Sequence, residues 1–112
     1  MSAQSELDEW ISEIKNRNQV TFEEAYHGAR PTGPLVIPRL LAEMRIASDA
    51  YTRGKFIELL GELGDATVIP HLLSELGHPE QAIRDWAVTA LRTIGGESAE
   101  RAIREYEATH PE

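Results

Sequence analysis

The stretch VIPHLLSELGHPEQAIRDWAVTALRTIGG, Val68 to Gly96, decides the fold. Its first nine residues nearly repeat VIPRLLAEM, Val36 to Met44, found 32 residues upstream. The second half repeats at an offset of 31, pairing Arg53 with Arg84, Phe56 with Ala87, Leu60 with Leu91, Leu63 with Ile94 and Gly64 with Gly95. A one-residue difference in the loop accounts for both offsets. At 31 again, Val68 and Leu72 match Ala99 and Ile103, so the C-terminal helix is the first half of a third unit. Two helices per unit and a period near 31 are the signature of an α-solenoid.

Apolar spacing outward from this stretch agrees. Leu7, Trp10, Ile11 and Ile14 form one stripe at i, i+3, i+4 and i+7 behind Ser5, which is expected to cap that helix after a loose Met1 to Gln4. Thr21 and Glu24 read as a capping box ahead of Phe22, Ala25, Tyr26 and Ala29, and Gly28, Pro31, Gly33 and Pro34 then interrupt the chain. Core stripes follow: Val36, Ile37, Leu40, Leu41 and Met44; Phe56, Leu59, Leu60 and Leu63 up to the stop at Gly64; Val68, Ile69, Leu72, Leu73 and Leu76 on a helix from Ala66; Ile83, Ala87, Ala90, Leu91 and Ile94; and Ala99, Ala102, Ile103 and Tyr106. The expected fold is all-α, a short solenoid of stacked antiparallel helix pairs with about six helices. It is read as one domain: an N-terminal pair over residues 5–29, repeats over 34–64 and 65–96, and a capping helix and tail over 97–112.

Composition narrows the function. The 112 residues hold 41% hydrophobic and 27% charged side chains, enough apolar material for a packed core and too much for a disordered chain. Aromatics are only 6%, so the core rests on aliphatic residues. A net charge of -8 repels a phosphate backbone on average and favours basic partners. Cysteine is absent, which excludes disulfides and thiolate chemistry. The start, MSAQSELDEW, shows neither a basic n-region nor an apolar run, and a cytoplasmic protein without membrane association is expected.

The segment AIRDWAVTALRTIGG, following a Leu-Leu helix and a loop containing Pro79, resembles the HEAT repeat, in particular the HEAT-like repeats also found in phycobilin lyases. The resemblance covers roughly Pro34 to Tyr106 and keeps the spacing of Ile83-Arg84, Leu91 and Ile94-Gly95. His78 and Ala47 stand where the family often has a turn aspartate. The resemblance implies that Arg84 and Arg53 brace their turns, and that the second helices line the binding side.

Candidate chemistry is sparse. His71, Glu75 and His78, at i, i+4 and i+7, have the spacing of metal ligands, but His78 lies at or past the helix end, and the expectation is no metal and no cofactor. Adjacent carboxylates such as Glu23 and Glu24 diverge on a helix. No nucleophile-base order, phosphate loop or dinucleotide glycine pattern is present, so no enzyme is expected. The non-core positions of the second helices form the candidate partner surface: Lys55, Glu58 and Glu62 step by 31 to Trp86, Thr89 and Thr93, flanked by Asp85 and Arg92. Glu23, Glu24 and His27 take the corresponding side of the N-terminal pair. Trp86 stands out, because Trp is enriched at binding hot spots; its packing against a neighbouring helix is the competing reading, whereas Trp10 reads as core. The function expected is a non-enzymatic interaction module whose acidic face docks a basic protein, in one form an immunity protein or antitoxin covering a basic toxin. The alternative is a lyase-like or chromophore-binding HEAT protein, which the lack of a convergent polar pocket disfavours. Leu91→Ala is expected to cost about 2–5 kcal/mol in chemical denaturation; an unchanged midpoint would remove Leu91 from the core.

Overall fold

The computed structural model describes residues 3–110. Among them are seven α-helices and no strand: α1 Ala3–Ile14, α2 Gln19–His27, α3 Val36–Ile46, α4 Ala50–Leu63, α5 Ile69–Glu75, α6 Gln81–Ile94 and α7 Glu97–Thr109. The chain divides into two compact units, one up to Arg39 and one from Leu40.

In the first unit α1 packs on α2 through the expected stripe. Leu7, Trp10, Ile11 and Ile14 are all buried, and the Trp10 indole Nε1 donates to the Ala25 carbonyl at 3.0 Å, so its one polar atom is satisfied in the core. Asp8 on α1 pairs with Arg39. Both helix starts differ from expectation. The first helix already includes Ala3, which places Ser5 inside it and makes Ala3 and Gln4 helical; Met1 and Ser2 lie outside the described residues. The second is capped not by Thr21 but by Asn18, whose side chain accepts from the Val20 and Thr21 N–H groups at 3.0 and 3.1 Å. An Asn three residues upstream takes the very donors that a Thr21 cap would have left to water. Ala29, expected in the core, is exposed beyond the end of α2.

The second unit is built on α4 and α6. Seven α4 residues are buried, Gly54 and Gly61 among them. A Cβ added to Gly61 would stand 2.8 Å from both the Cα and the Cβ of Ala90, and one added to Gly54 would stand 2.7 Å from the Trp86 ring. Two missing methyl groups therefore let α6 lie against the α4 backbone. Asp49 starts α4 by accepting from the Thr52 N–H and hydroxyl at 2.7 and 3.0 Å, and Gly64, at φ 69°, ends it in the left-handed conformation expected.

The expected helix from Ala66 begins instead as a 3-10 turn, Ala66–Val68, and turns α-helical only at Ile69. Pro70 is the reason: it has no N–H to give to the Ala66 carbonyl, which the Ile69 N–H takes instead. Asp65 caps the turn through the Thr67 hydroxyl and N–H at 2.6 and 2.8 Å, and these bonds hold its carboxyl below the usual range. The cap is therefore charged at neutral pH, and its contribution fades as the pH falls through that lowered value.

One buried ion pair ties α4 to α5. The Arg53 Nε and Nη2 donate to the two Glu75 carboxylate oxygens at 2.6 and 2.9 Å, with the side chains 16% and 8% exposed. The hydrogen bond to Glu75, reinforced by its charge and opposed by burial, raises the Arg53 pKa above its already high ordinary value, so the guanidinium stays charged wherever the fold is handled.

Two predictions follow the packing. Gly61→Ala gains helix propensity yet should destabilise by about 1–3 kcal/mol, because the obstacle is the Ala90 backbone; a thermal melt at or above wild type would refute the close contact. Glu75→Ala should cost about 3–5 kcal/mol by stranding Arg53, and the double variant Arg53→Met with Glu75→Leu should recover most of it. A double-mutant cycle by urea unfolding measures the coupling; additive losses would mean the pair is only incidental.

Candidate functional site

The structure separates the predicted surface residues by helix and by burial. On α4, Glu58 is half-buried and Glu62 exposed, but Lys55 is buried, with 7% exposure, and its Nζ lies 4.2 Å from the Tyr51 ring centroid. Lys55 is thus not on the open face. Its 31-residue match to Trp86 held in the register, but an aromatic ring one turn back draws the ammonium along the helix.

On α6, Asp85, Trp86, Thr89, Arg92 and Thr93 are all exposed. Trp86 rests one indole edge on Gly54, and the residue is 37% exposed. Thr93 donates its hydroxyl to the Thr89 carbonyl at 2.9 Å, and Arg92 pairs with Glu107 of α7 at 2.9 Å. Asp85 makes no hydrogen bond or ion pair among the described residues. In the first unit, Glu23 on α2 accepts from Gln19 at 2.6 Å and approaches His27 at 3.1 Å, while Glu24 and His27 are exposed.

The metal spacing at His71, Glu75 and His78 does not become a site. Glu75 belongs to Arg53, His71 Nδ1 lies 2.8 Å from Arg45 Nη2, and His78 Nδ1 accepts the Glu80 N–H at 3.0 Å. No group of three potential ligands comes together among the described residues. Arg84 does brace its loop, donating from Nη1 to the His78 and Pro79 carbonyls at 2.6 and 2.9 Å. Arg53 reaches the Arg45 carbonyl at 3.4 Å but spends its other edge on Glu75.

A groove of about 540 Å³ between α6 and α7 was not anticipated. Its lining joins Asp85, Thr89 and Arg92 to Arg84, Tyr106 and His110, the last two stacked with ring centroids 4.2 Å apart. Tyr106 was placed in the apolar stripe, and its spacing of four from His110 was the signal available in the sequence. Leu73, expected in the core, is 39% exposed and lines a second, more open hollow with Leu76 and Tyr106.

Trp86→Ala should lower stability by no more than about 2 kcal/mol, since more than a third of the residue is already in water. A larger loss in urea unfolding would make it a core residue.

No helix among the described residues is long and apolar enough to cross a membrane. A family model described as HEAT repeats matches residues 37–109. No curated protein and no solved structure matches the chain. The match spans well over half the sequence, and the chain belongs to the HEAT-repeat family.

Proposed function

We propose that this HEAT-repeat chain is a non-enzymatic interaction module that docks a basic protein on the second-helix surface around Trp86. Trp86 carries the reading: an indole held along one edge by Gly54 and 37% exposed is a partly ordered, amphipathic anchor that loses little further conformational entropy on binding. Glu58 and Glu62 on α4, and Asp85 on α6, put negative charge on the two helices that meet at Trp86. With a chain charge of -8, these favour a cationic partner by steering its approach more than by strengthening the final complex. Thr89 and Thr93 add hydroxyls to the same helix, while the Arg92–Glu107 pair leaves little net charge at that end. The same charge disfavours nucleic acid.

One specific form of the module is an immunity protein or antitoxin covering the basic cleft of a toxin. Small size and acidity support it, and the partner surface it would need is the cationic one described. A cytoplasmic setting fits a chain without cysteine.

The tagged chain should capture a basic protein from lysate of its native cell, and Trp86→Ala with Glu58→Lys should abolish the capture while circular dichroism shows the helical fold retained at the temperature of the assay. Capture of the same protein by the folded double variant would put the binding face elsewhere.

A further inference from the structure

Three helical segments begin behind a side chain that accepts the backbone N–H two residues further on. Asn18 accepts from Val20 at 3.0 Å ahead of α2, Asp65 from Thr67 at 2.8 Å at the 3-10 turn, and His78 from Glu80 at 3.0 Å ahead of α6. An amide oxygen accepts at every pH, and the Asp65 carboxylate does so above its lowered range. His78 differs. Its Nδ1 faces a backbone donor, so Nδ1 is the bare nitrogen and the ring is neutral with its proton on Nε2. A second proton goes to Nδ1 and removes the one lone pair that makes the bond.

That bond shapes the turn leading into α6, where little else holds it. Glu80, the N-cap of α6, makes no side-chain cap bond, and the first turn of α6 carries no acidic residue. The other tie is Arg84, whose Nη1 donates to the His78 and Pro79 carbonyls at 2.6 and 2.9 Å. An imidazolium at residue 78 therefore loses its acceptor beside a fixed guanidinium and near the positive end of the α6 dipole. Charged and titratable groups on the surrounding elements offer no compensation. Glu75 of α5 is taken by Arg53 of α4, and Glu107 of α7 by Arg92. Glu80 and Asp85 are exposed, where water screens them, and Tyr106 and His110 of α7 lie with Arg84 in the α6–α7 groove.

We propose that His78 is a proton-operated latch on the start of α6: the neutral ring closes the turn, and the imidazolium releases it and frays residues 81–84, the turn just ahead of Asp85 and Trp86. Only the unprotonated ring makes the bond, so its stabilisation is complete at alkaline pH and is lost as the pH falls through the imidazole range, about 6.5 for a free side chain. Asp65 keeps the corresponding bond throughout that range. The latch stands whatever docks at Trp86.

In the ¹⁵N-labelled full chain at pH 8, a long-range ¹H–¹⁵N spectrum should show His78 protonated on Nε2. Urea unfolding of the wild type, His78→Ala and His78→Asp is then compared at pH 8 and pH 5. At pH 8 the unfolding constant of the wild type should be about fivefold smaller than that of His78→Ala, the effect of one local cap bond. At pH 5 that advantage should vanish, whereas His78→Asp should keep its own advantage over His78→Ala at both values. His27, His71 and His110 are common to all three chains, so the ratios isolate residue 78. Amide exchange protection over residues 81–84 should fall at pH 5 in the wild type and hold in His78→Asp. A ring protonated on Nδ1 at pH 8, a wild-type advantage equal at the two pH values, an aspartate advantage that also vanishes, or wild-type protection unchanged at pH 5 would each overturn the proposal.

Discussion

The distance between α4 and α6 is set by two hydrogen atoms, those that Gly54 and Gly61 carry in place of side chains. Everything else in the second unit adapts to that separation. At this approach the main chain of Ala90 meets that of α4, leaving room only for small residues along the line of contact and sending the larger ones, Phe56, Leu59, Leu60, Ile83 and Leu91, into the core to either side. Interiors packed to such density resist even one added methylene, so the glycines are held by sterics although each lowers the helical propensity of α4. Trp86 is seated by the same device: a side chain at residue 54 would lift the indole off the helix.

The Arg53–Glu75 pair performs a different task. A buried ion pair adds little net stability over well-packed apolar groups, because desolvation offsets most of the attraction. Its geometry, however, is demanding. Two fixed hydrogen bonds to both oxygens admit one relative placement of α4 and α5, whereas aliphatic contacts tolerate sliding. The glycines thus fix how close the second helices come, and the arginine fixes how one repeat sits on the next.

Much of this was legible in the sequence. The repeat offsets located the helices, and nearly every residue assigned to a stripe in α1, α4 and α6 is buried, because hydrophobic periodicity reports burial directly. What escaped were features that depend on a second element or on competition between local groups. Asn18 displaced Thr21 as a cap because its side chain reaches the Val20 and Thr21 N–H groups and starts the helix before Thr21 is reached. Pro70 converted one turn to 3-10 through a donor it lacks. Lys55 sat at a register position whose counterpart is exposed, but Tyr51 one turn earlier gave its ammonium somewhere to go. Of the candidate surface, the α6 residues are exposed as their register predicts, because helix α6 is strongly amphipathic. The groove could not be read, since its walls come from helices whose relative placement no periodicity encodes.

Trp10 and Trp86 are the chain's only tryptophans, and they fall in different units. The first is sealed and hydrogen-bonded to a carbonyl; the second is open along one flank. Their emission should therefore differ in wavelength and in accessibility to a collisional quencher, giving each unit its own intrinsic reporter. Loss of order in one half of the molecule can then be followed separately from loss of order in the other, with no label introduced and no residue replaced.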